Sequence, residues 1–305
     1  SSMDESSNDT ITSPMATSRP VHTTIIPAAG LGTRLLPITV AVPKELLPLV
    51  DRPIIQYGVE EAVRSGLDHI VLITNPGSLQ PASHFAPQPE LERILAERGN
   101  AELLTAVRSL KKMATVTTLH QEKPLGLGHA VLTGRPAVGN EPFAVMLPDN
   151  VIDSEPPAIK QMLDVFSEFR APVILFERVA SHAVDRYGII TAEFVRDNLF
   201  RVIDLVEKPT PDEAPSNFAI IGRYVLTPDI FDALESTKAG HGSEVQLTDA
   251  LRVLLQDRPI YALELQGSHQ DVGTKIGFLE ATLHFALKHP EFAPTIEAAL
   301  ERITK

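Results

Sequence analysis

The chain has 305 residues, enough for one large α/β domain or two small ones, and 43% of them are hydrophobic, an ordinary share for a packed core. With 27 Lys and Arg against 39 Asp and Glu the formal net charge is −12, which argues against nonspecific nucleic-acid or anionic-membrane binding; a polyphosphate ligand would have to be drawn by local cations. There are no cysteines, which excludes disulfides and thiolate catalysis and fits a reducing cytoplasm, and no apolar run reaches the ~18 residues that span a bilayer.

Residues 1–20 are rich in Ser, Thr, Asp and Asn without periodicity and read as a disordered tail. The folded domain is expected over 21–288, with a helical extension over 289–305. A β-branched run, Thr23–Ile26, breaks at Pro27 into the turn Ala28-Ala29-Gly30-Leu31-Gly32-Thr33-Arg34. Gly30 and Gly32 carry no Cβ and tolerate φ > 0, so backbone N–H groups can approach phosphate oxygens closely. The turn is not a Walker A loop, which needs Lys-Ser/Thr after its last glycine, nor GxGxxG, because Leu35 stands at the third glycine position. Its cations are Arg34 and, after a second turn, Lys44 in Pro43-Lys44-Glu45.

A helix starts near Pro53, carries Ile55, Val59 and Val63 at i+4 spacing and stops at Gly66. His69–Thr74 reads as a strand. Leu91–Arg98 and Leu103–Lys112 read as polar-faced helices, an insertion rather than core. Strands follow at Thr115–His120, Phe143–Leu147, Val173–Glu177, Arg201–Val206, Ala219–Leu226 and Ile260–Leu265. Helices are expected at Leu247–Leu255, Gly277–Leu287 and after Pro294, and there is no internal repeat. The alternation predicts an α/β fold with a mixed, mainly parallel sheet flanked by helices, whose ligands bind beyond the strands' carboxyl ends.

Leu147-Pro148-Asp149 places a carboxylate directly after a buried strand, and Gln270-Asp271-Val272-Gly273 places another after a strand-like segment and before a helix. Read singly, Asp149 caps a turn and Asp271 a helix. Beside a phosphate turn the pair suits Mg²⁺, which keeps several waters and takes its other ligands from substrate phosphates. Gln121 offers both a donor and an acceptor to a pyrimidine edge, and Gly126 lets a flat base lie against backbone. His129 reads as a helix-start or packing residue. In Val206-Glu207-Lys208-Pro209 the carboxylate suits sugar hydroxyls and the lysine a sugar phosphate, the alternative being an exposed ion pair. Tyr187-Gly188-Ile189 and Ser216-Asn217 look like sugar-contact loops, Glu244 is a weak site candidate, and Ser243 or Thr248 reads as a helix cap.

Taken in order, GLGTR, PKELLPLVD, KPLGLGHAV, LPD, YGI, VEKP, SNFAIIGRY, EVQLTDA and QDVG resemble the sugar-phosphate nucleotidyltransferases, and within them the bacterial UTP–glucose-1-phosphate uridylyltransferases, over nearly all of residues 22–289. The resemblance implies a Rossmann-like domain, Mg²⁺ dependence, and dimers or tetramers. The implied reactants are UTP and glucose 1-phosphate, giving UDP-glucose and pyrophosphate. Position by position it implies uridine contacts at Ala29, Gly30, Glu45, Gln121 and Gly126, and triphosphate ligands at Arg34 and Lys44. Mg²⁺ ligands fall at Asp149 and Asp271, and glucose-phosphate contacts at Gly188, Glu207 and Lys208. Val40 stands where many uridylyltransferases carry lysine, and Asn150 where part of the family carries a second acid. Rival readings are a regulatory nucleotide-sugar-binding paralogue, a transferase for another pair such as dTTP, and a glycosyltransferase, whose DxD motif is missing at Asp149-Asn150-Val151.

Overall fold

Thr23–Pro27 does form a strand, and its four leading residues are buried. The computed structural model describes residues 20–78 and 80–305; the tail expected at 1–20 lies outside them apart from Pro20. The strands are β1 (Thr23–Pro27), β2 (Pro48–Leu49), β3 (Arg52–Pro53), β4 (His69–Thr74), β5 (Thr115–His120), β6 (Phe143–Met146), β7 (Asn150–Asp153), β8 (Val173–Arg178), β9 (Gly188–Arg196), β10 (Leu199–Glu207), β11 (Phe218–Leu226), β12 (Tyr261–Glu264) and β13 (Ser268–Asp271). The helices are α1 (Ile54–Arg64), α2 (Gln80–Ser83), α3 (Pro89–Glu97), α4 (Ala101–Met113), α5 (Leu127–Thr133), α6 (Arg135–Val138), α7 (Ala158–Phe169), α8 (Ile230–Ser236), α9 (Leu247–Leu254), α10 (Lys275–Lys288) and α11 (Ala293–Ile303).

Nine strands form one mixed sheet in the order β5-β4-β1-β6-β11-β8-β12-β10-β9. Parallel pairing joins β5, β4, β1 and β6, and recurs between β12 and β8. β11 runs antiparallel to both β6 and β8, and β9 and β10 form an antiparallel ladder. The antiparallel half is larger than alternating strands and helices suggest, because β9 to β11 follow one another with no helix between them.

Alternate residues of each strand serve opposite faces. Ile25 packs into one apolar cluster with residues of α5, α8 and α9; its neighbour Ile26 packs into another with residues of α1 and α7. α3 and α4 contribute no buried residue, as their polar faces predict. β7 and β13 pair as a separate ribbon with Asp271 opposite Asn150. No described helix is long and apolar enough to cross a membrane.

Candidate active site

Because β1, β4, β5 and β6 are parallel, their carboxyl ends open on one edge of the sheet. From that edge leave the glycine turn after β1, Gln121 after β5 and Leu147-Pro148-Asp149 after β6. In the β9–β10 ladder Gly188 is paired directly with Glu207. Lys208 follows in a left-handed conformation, φ 46°, with its N–H bonded to the Tyr187 carbonyl at 2.9 Å. A non-glycine residue held there stores strain, as residues aimed into a site often do.

Two cavities meet at this edge. The larger, about 570 Å³, is lined by Ala29, Gly30, Lys44, Gln121 and Gly126. The smaller, about 240 Å³, is lined by Gly188, Glu207 and Asp271. Arg34, Asp149, Lys208 and Glu244 line both and form the wall between them. Glu45 lines neither. It is buried and lines a third cavity of about 220 Å³, together with Gly30 and Lys44.

Of the two turn glycines that tolerate φ > 0, Gly32 adopts it, at 63°, where its carbonyl accepts the Thr39 hydroxyl at 2.7 Å. Gly30 lies against Lys44: a Cβ there would stand in ordinary contact, 3.8 Å, with the ammonium. That ammonium donates to Oδ2 of Asp149 at 3.2 Å, and Arg34 lies 3.6 Å from the same oxygen. Burial alone would lower the lysine pKa, but Asp149 and Glu45 outweigh it, so Lys44 ends above the ordinary value and stays charged. Burial likewise pushes Asp149 up, and Lys44 and Arg34 overcome it, so the carboxyl titrates below its usual range. For Glu45 burial prevails over Lys44 and raises the pKa to about 7; its Oε1 has no hydrogen-bond partner.

The two aspartates converge. The Val272 N–H donates to the Asp149 carbonyl at 2.9 Å, and the ribbon sets Asp271 opposite Asn150. A Cβ on Gly273 would stand 2.8 Å from Oδ2 of Asp149, 3.1 Å from Oδ1 of Asp271 and 2.6 Å from Arg34. Both carboxylates therefore face one small space. Thr274, not Asp271, caps α10, accepting from the Gly277 N–H at 3.1 Å.

A family model described as nucleotidyl transferase matches residues 23–287. The chain belongs to the nucleotidyl transferase family. A UTP–glucose-1-phosphate uridylyltransferase of Staphylococcus haemolyticus is 47% identical over 267 residues, covering 88% of this chain and 93% of that protein. Among solved structures, UDP-glucose pyrophosphorylase complexed with UDP-glucose is 38% identical with a TM-score of 0.81, over 88% of this chain and 100% of that one. The UTP-bound enzyme of Acinetobacter baumannii is 35% identical with a TM-score of 0.85, over 92% and 98%.

Around this nucleotidyltransferase's cleft stand supports that the sequence alone did not mark. Thr248, expected as a helix cap, instead donates its hydroxyl to Oε2 of Glu207 at 2.6 Å, and neither it nor Ser243 caps α9. His129 holds Gln121: the Gln121 amide nitrogen lies 2.9 Å from its Nδ1 and 3.2 Å from the Gly126 carbonyl. Asn217 donates to the Val179 carbonyl at 3.1 Å and Ser216 to that of Ile190 at 2.5 Å, so this pair shapes a turn and does not line the cleft. Asn150 accepts from His269, whose other ring nitrogen meets Glu177 at 2.6 Å. Val245 is bonded through its N–H to Leu125 and through its carbonyl to Gly128, both at 2.8 Å. This backbone bridge brings Glu244 against Gly126, whose φ of 100° favours glycine and whose added Cβ would meet that of Glu244 at 2.6 Å.

Proposed function

We propose that this nucleotidyltransferase makes UDP-glucose and pyrophosphate from UTP and α-D-glucose 1-phosphate. The observation that carries the reading is the pair of cavities sharing the Asp149 and Lys208 wall, one built on the glycine turn and Gln121, the other on Gly188 and Glu207. The names and bound ligands of the relatives support the same pair of substrates.

In this reading a phosphate oxygen of the sugar phosphate attacks the α-phosphorus of UTP. That P–O bond forms as the bond to the β-phosphate bridging oxygen breaks, and pyrophosphate leaves with the electron pair. Both reactants are anions, and the attacking phosphate is already ionised near neutral pH, so the barrier is charge repulsion and alignment rather than proton removal. Lys44 and Arg34 neutralise the triphosphate on one side of the wall, and Lys208 the sugar phosphate on the other. Glu207 accepts sugar hydroxyls. Mg²⁺, when bound, supplies further neutralisation and a template for the phosphates. Asp149 and Asp271 fit it as a two-carboxylate site, since their oxygens face one small space at Gly273 and such an ion takes its remaining ligands from waters and substrate oxygens.

A dimer or tetramer belongs to the same reading. It is supported by the exposed stripe Ile276, Leu279, Leu283 and Leu287 along α10. A cytoplasmic setting is supported by the lack of cysteine. The test is pyrophosphate release across a panel of nucleoside triphosphates and sugar 1-phosphates with Mg²⁺. UTP with glucose 1-phosphate should give the highest kcat/KM, and dTTP in first place or no release with any pair would overturn the reading.

A further inference from the structure

We propose that the buried Glu61–Arg223 ion pair is a positioning device for the Asp149 carboxylate, acting through the carbonyl of Leu147. The proposal rests on the metal reading of Asp149 given above. Arg223, on β11, is 1% exposed and is the largest fully buried side chain among the described residues; Glu61, on α1, is 7% exposed. The guanidinium meets both oxygens of Glu61, Nε to Oε2 at 2.9 Å and Nη2 to Oε1 at 3.2 Å. Its remaining nitrogen, Nη1, donates to the carbonyls of Leu147 at 3.2 Å and Gly222 at 3.3 Å.

Leu147 opens the turn that carries Asp149. Its N–H donates to the Gly222 carbonyl at 2.9 Å, and its own carbonyl accepts the Asn150 N–H at 3.2 Å, closing the four-residue turn that carries Asp149. Leu147 also lines both cavities. The guanidinium thus fixes the orientation of the first peptide of that turn, and the carboxylate of Glu61 fixes the guanidinium.

Stability does not account for this arrangement. Replacing a buried ion pair with apolar side chains of similar volume is often neutral or stabilising, because two charges no longer have to leave water. What an apolar pair cannot do is donate to a carbonyl. Residues that orient a ligand's support typically change metal affinity 10- to 100-fold when altered.

The test uses the full-length protein with Mn²⁺ as the probe, its affinity in the presence of UTP measured by electron paramagnetic resonance, beside thermal melting and amide hydrogen exchange. The double variant Glu61→Met/Arg223→Leu should melt near wild type, yet bind Mn²⁺ about 10-fold or more weakly. Its Asn150 amide should exchange faster while amides of β6 keep their protection. Arg223→Lys, which keeps the charge and loses the fork, should shift both readouts in the same direction. A folded double variant with wild-type Mn²⁺ affinity and wild-type Asn150 exchange overturns the proposal. If the double variant does not fold, the same result in Arg223→Lys overturns it. Failure of wild type to bind Mn²⁺ would sink the metal reading instead, and Asn150 exchange, which needs no metal, still decides for or against the pair as the device that sets the turn.

Discussion

Thr248 on α9 gives its hydroxyl to Glu207 on β10 at 2.6 Å, and both side chains stand within about 3 Å of where a Cβ on Gly188 would lie. One carboxylate oxygen is thereby fixed by the protein on the wall of the smaller cavity. Thr248→Val keeps the shape and deletes that donor, so Glu207 loses one of the contacts that orient it. The KM for glucose 1-phosphate should rise about 10-fold, the scale of one charged hydrogen bond, while the KM for UTP stays within about twofold. Glu207→Gln should act on the same substrate more strongly. Steady-state kinetics with each substrate varied in turn decides it, and a raised UTP KM alone would put Glu207 on the wrong substrate.

Gly273 offers a test of the two-carboxylate site that leaves both carboxylates in place. Its Cβ-free face touches Asp149, Asp271 and Arg34 together. Gly273→Ala should fold and lose most turnover, with the remaining activity shifted to higher Mg²⁺. Asp149→Asn and Asp271→Asn should each lose turnover in the same way. Activity against Mg²⁺ concentration, with circular dichroism as the folding control, is the measurement. Near-wild-type rates at low Mg²⁺ in both Asn variants would dissolve the shared site.

Lys44 is held by Asp149 and by the charge of Glu45 beside it. Lys44→Ala should lower kcat/KM by roughly 10² or more, the cost of one preorganised electrostatic donor. Lys44→Arg should recover only part, since a planar fork does not fill the space of a compact ammonium. A folded Lys44→Ala within about threefold of wild type would shift the burden to Arg34 and Lys208.

Glu45 makes the pH dependence of stability specific. Its pKa rises on folding from an ordinary 4.5 to about 7, so the folded state holds the proton more tightly than the unfolded chain. Its contribution is complete below the unfolded value and declines as pH climbs to about 7. Ligand-free melts of wild type should therefore lose ground to Glu45→Gln between about pH 4.5 and 7, with a constant difference above that. Parallel melting curves across the whole range would show that Glu45 does not titrate there.

Much of this site was legible because its residues sit in short contiguous runs. The turn after β1, Pro43-Lys44-Glu45 and Leu147-Pro148-Asp149 each announce themselves by composition. Asp149 and Asp271, 122 positions apart in the numbering, read as a pair because each carboxylate follows a strand-like segment, and the β7–β13 ribbon brings the two segments together. The ribbon itself was invisible: Ser268–Asp271 has neither apolar alternation nor β-branched residues. Arg223 lay unnoticed inside an otherwise apolar strand because its partner Glu61 sits on the buried face of a distant helix. Thr248 looked like a cap because local sequence cannot reveal that Glu207 waits across a fold. Glu45 was grouped with the nucleotide ligands by resemblance; that it is buried and lines a third cavity beside Gly30 and Lys44 needed the fold.

The backbone bridge between Leu125, Gly128 and Val245 bears on anyone retooling this chain for a different sugar. The segment carrying Glu244 cannot be exchanged or resized alone, since two peptide hydrogen bonds at 2.8 Å tie it to the loop that lines the larger cavity. A donor loop of another length would distort the larger cavity while trying to reshape the smaller one. The two segments, 124–128 and 240–246, are best grafted as a matched set.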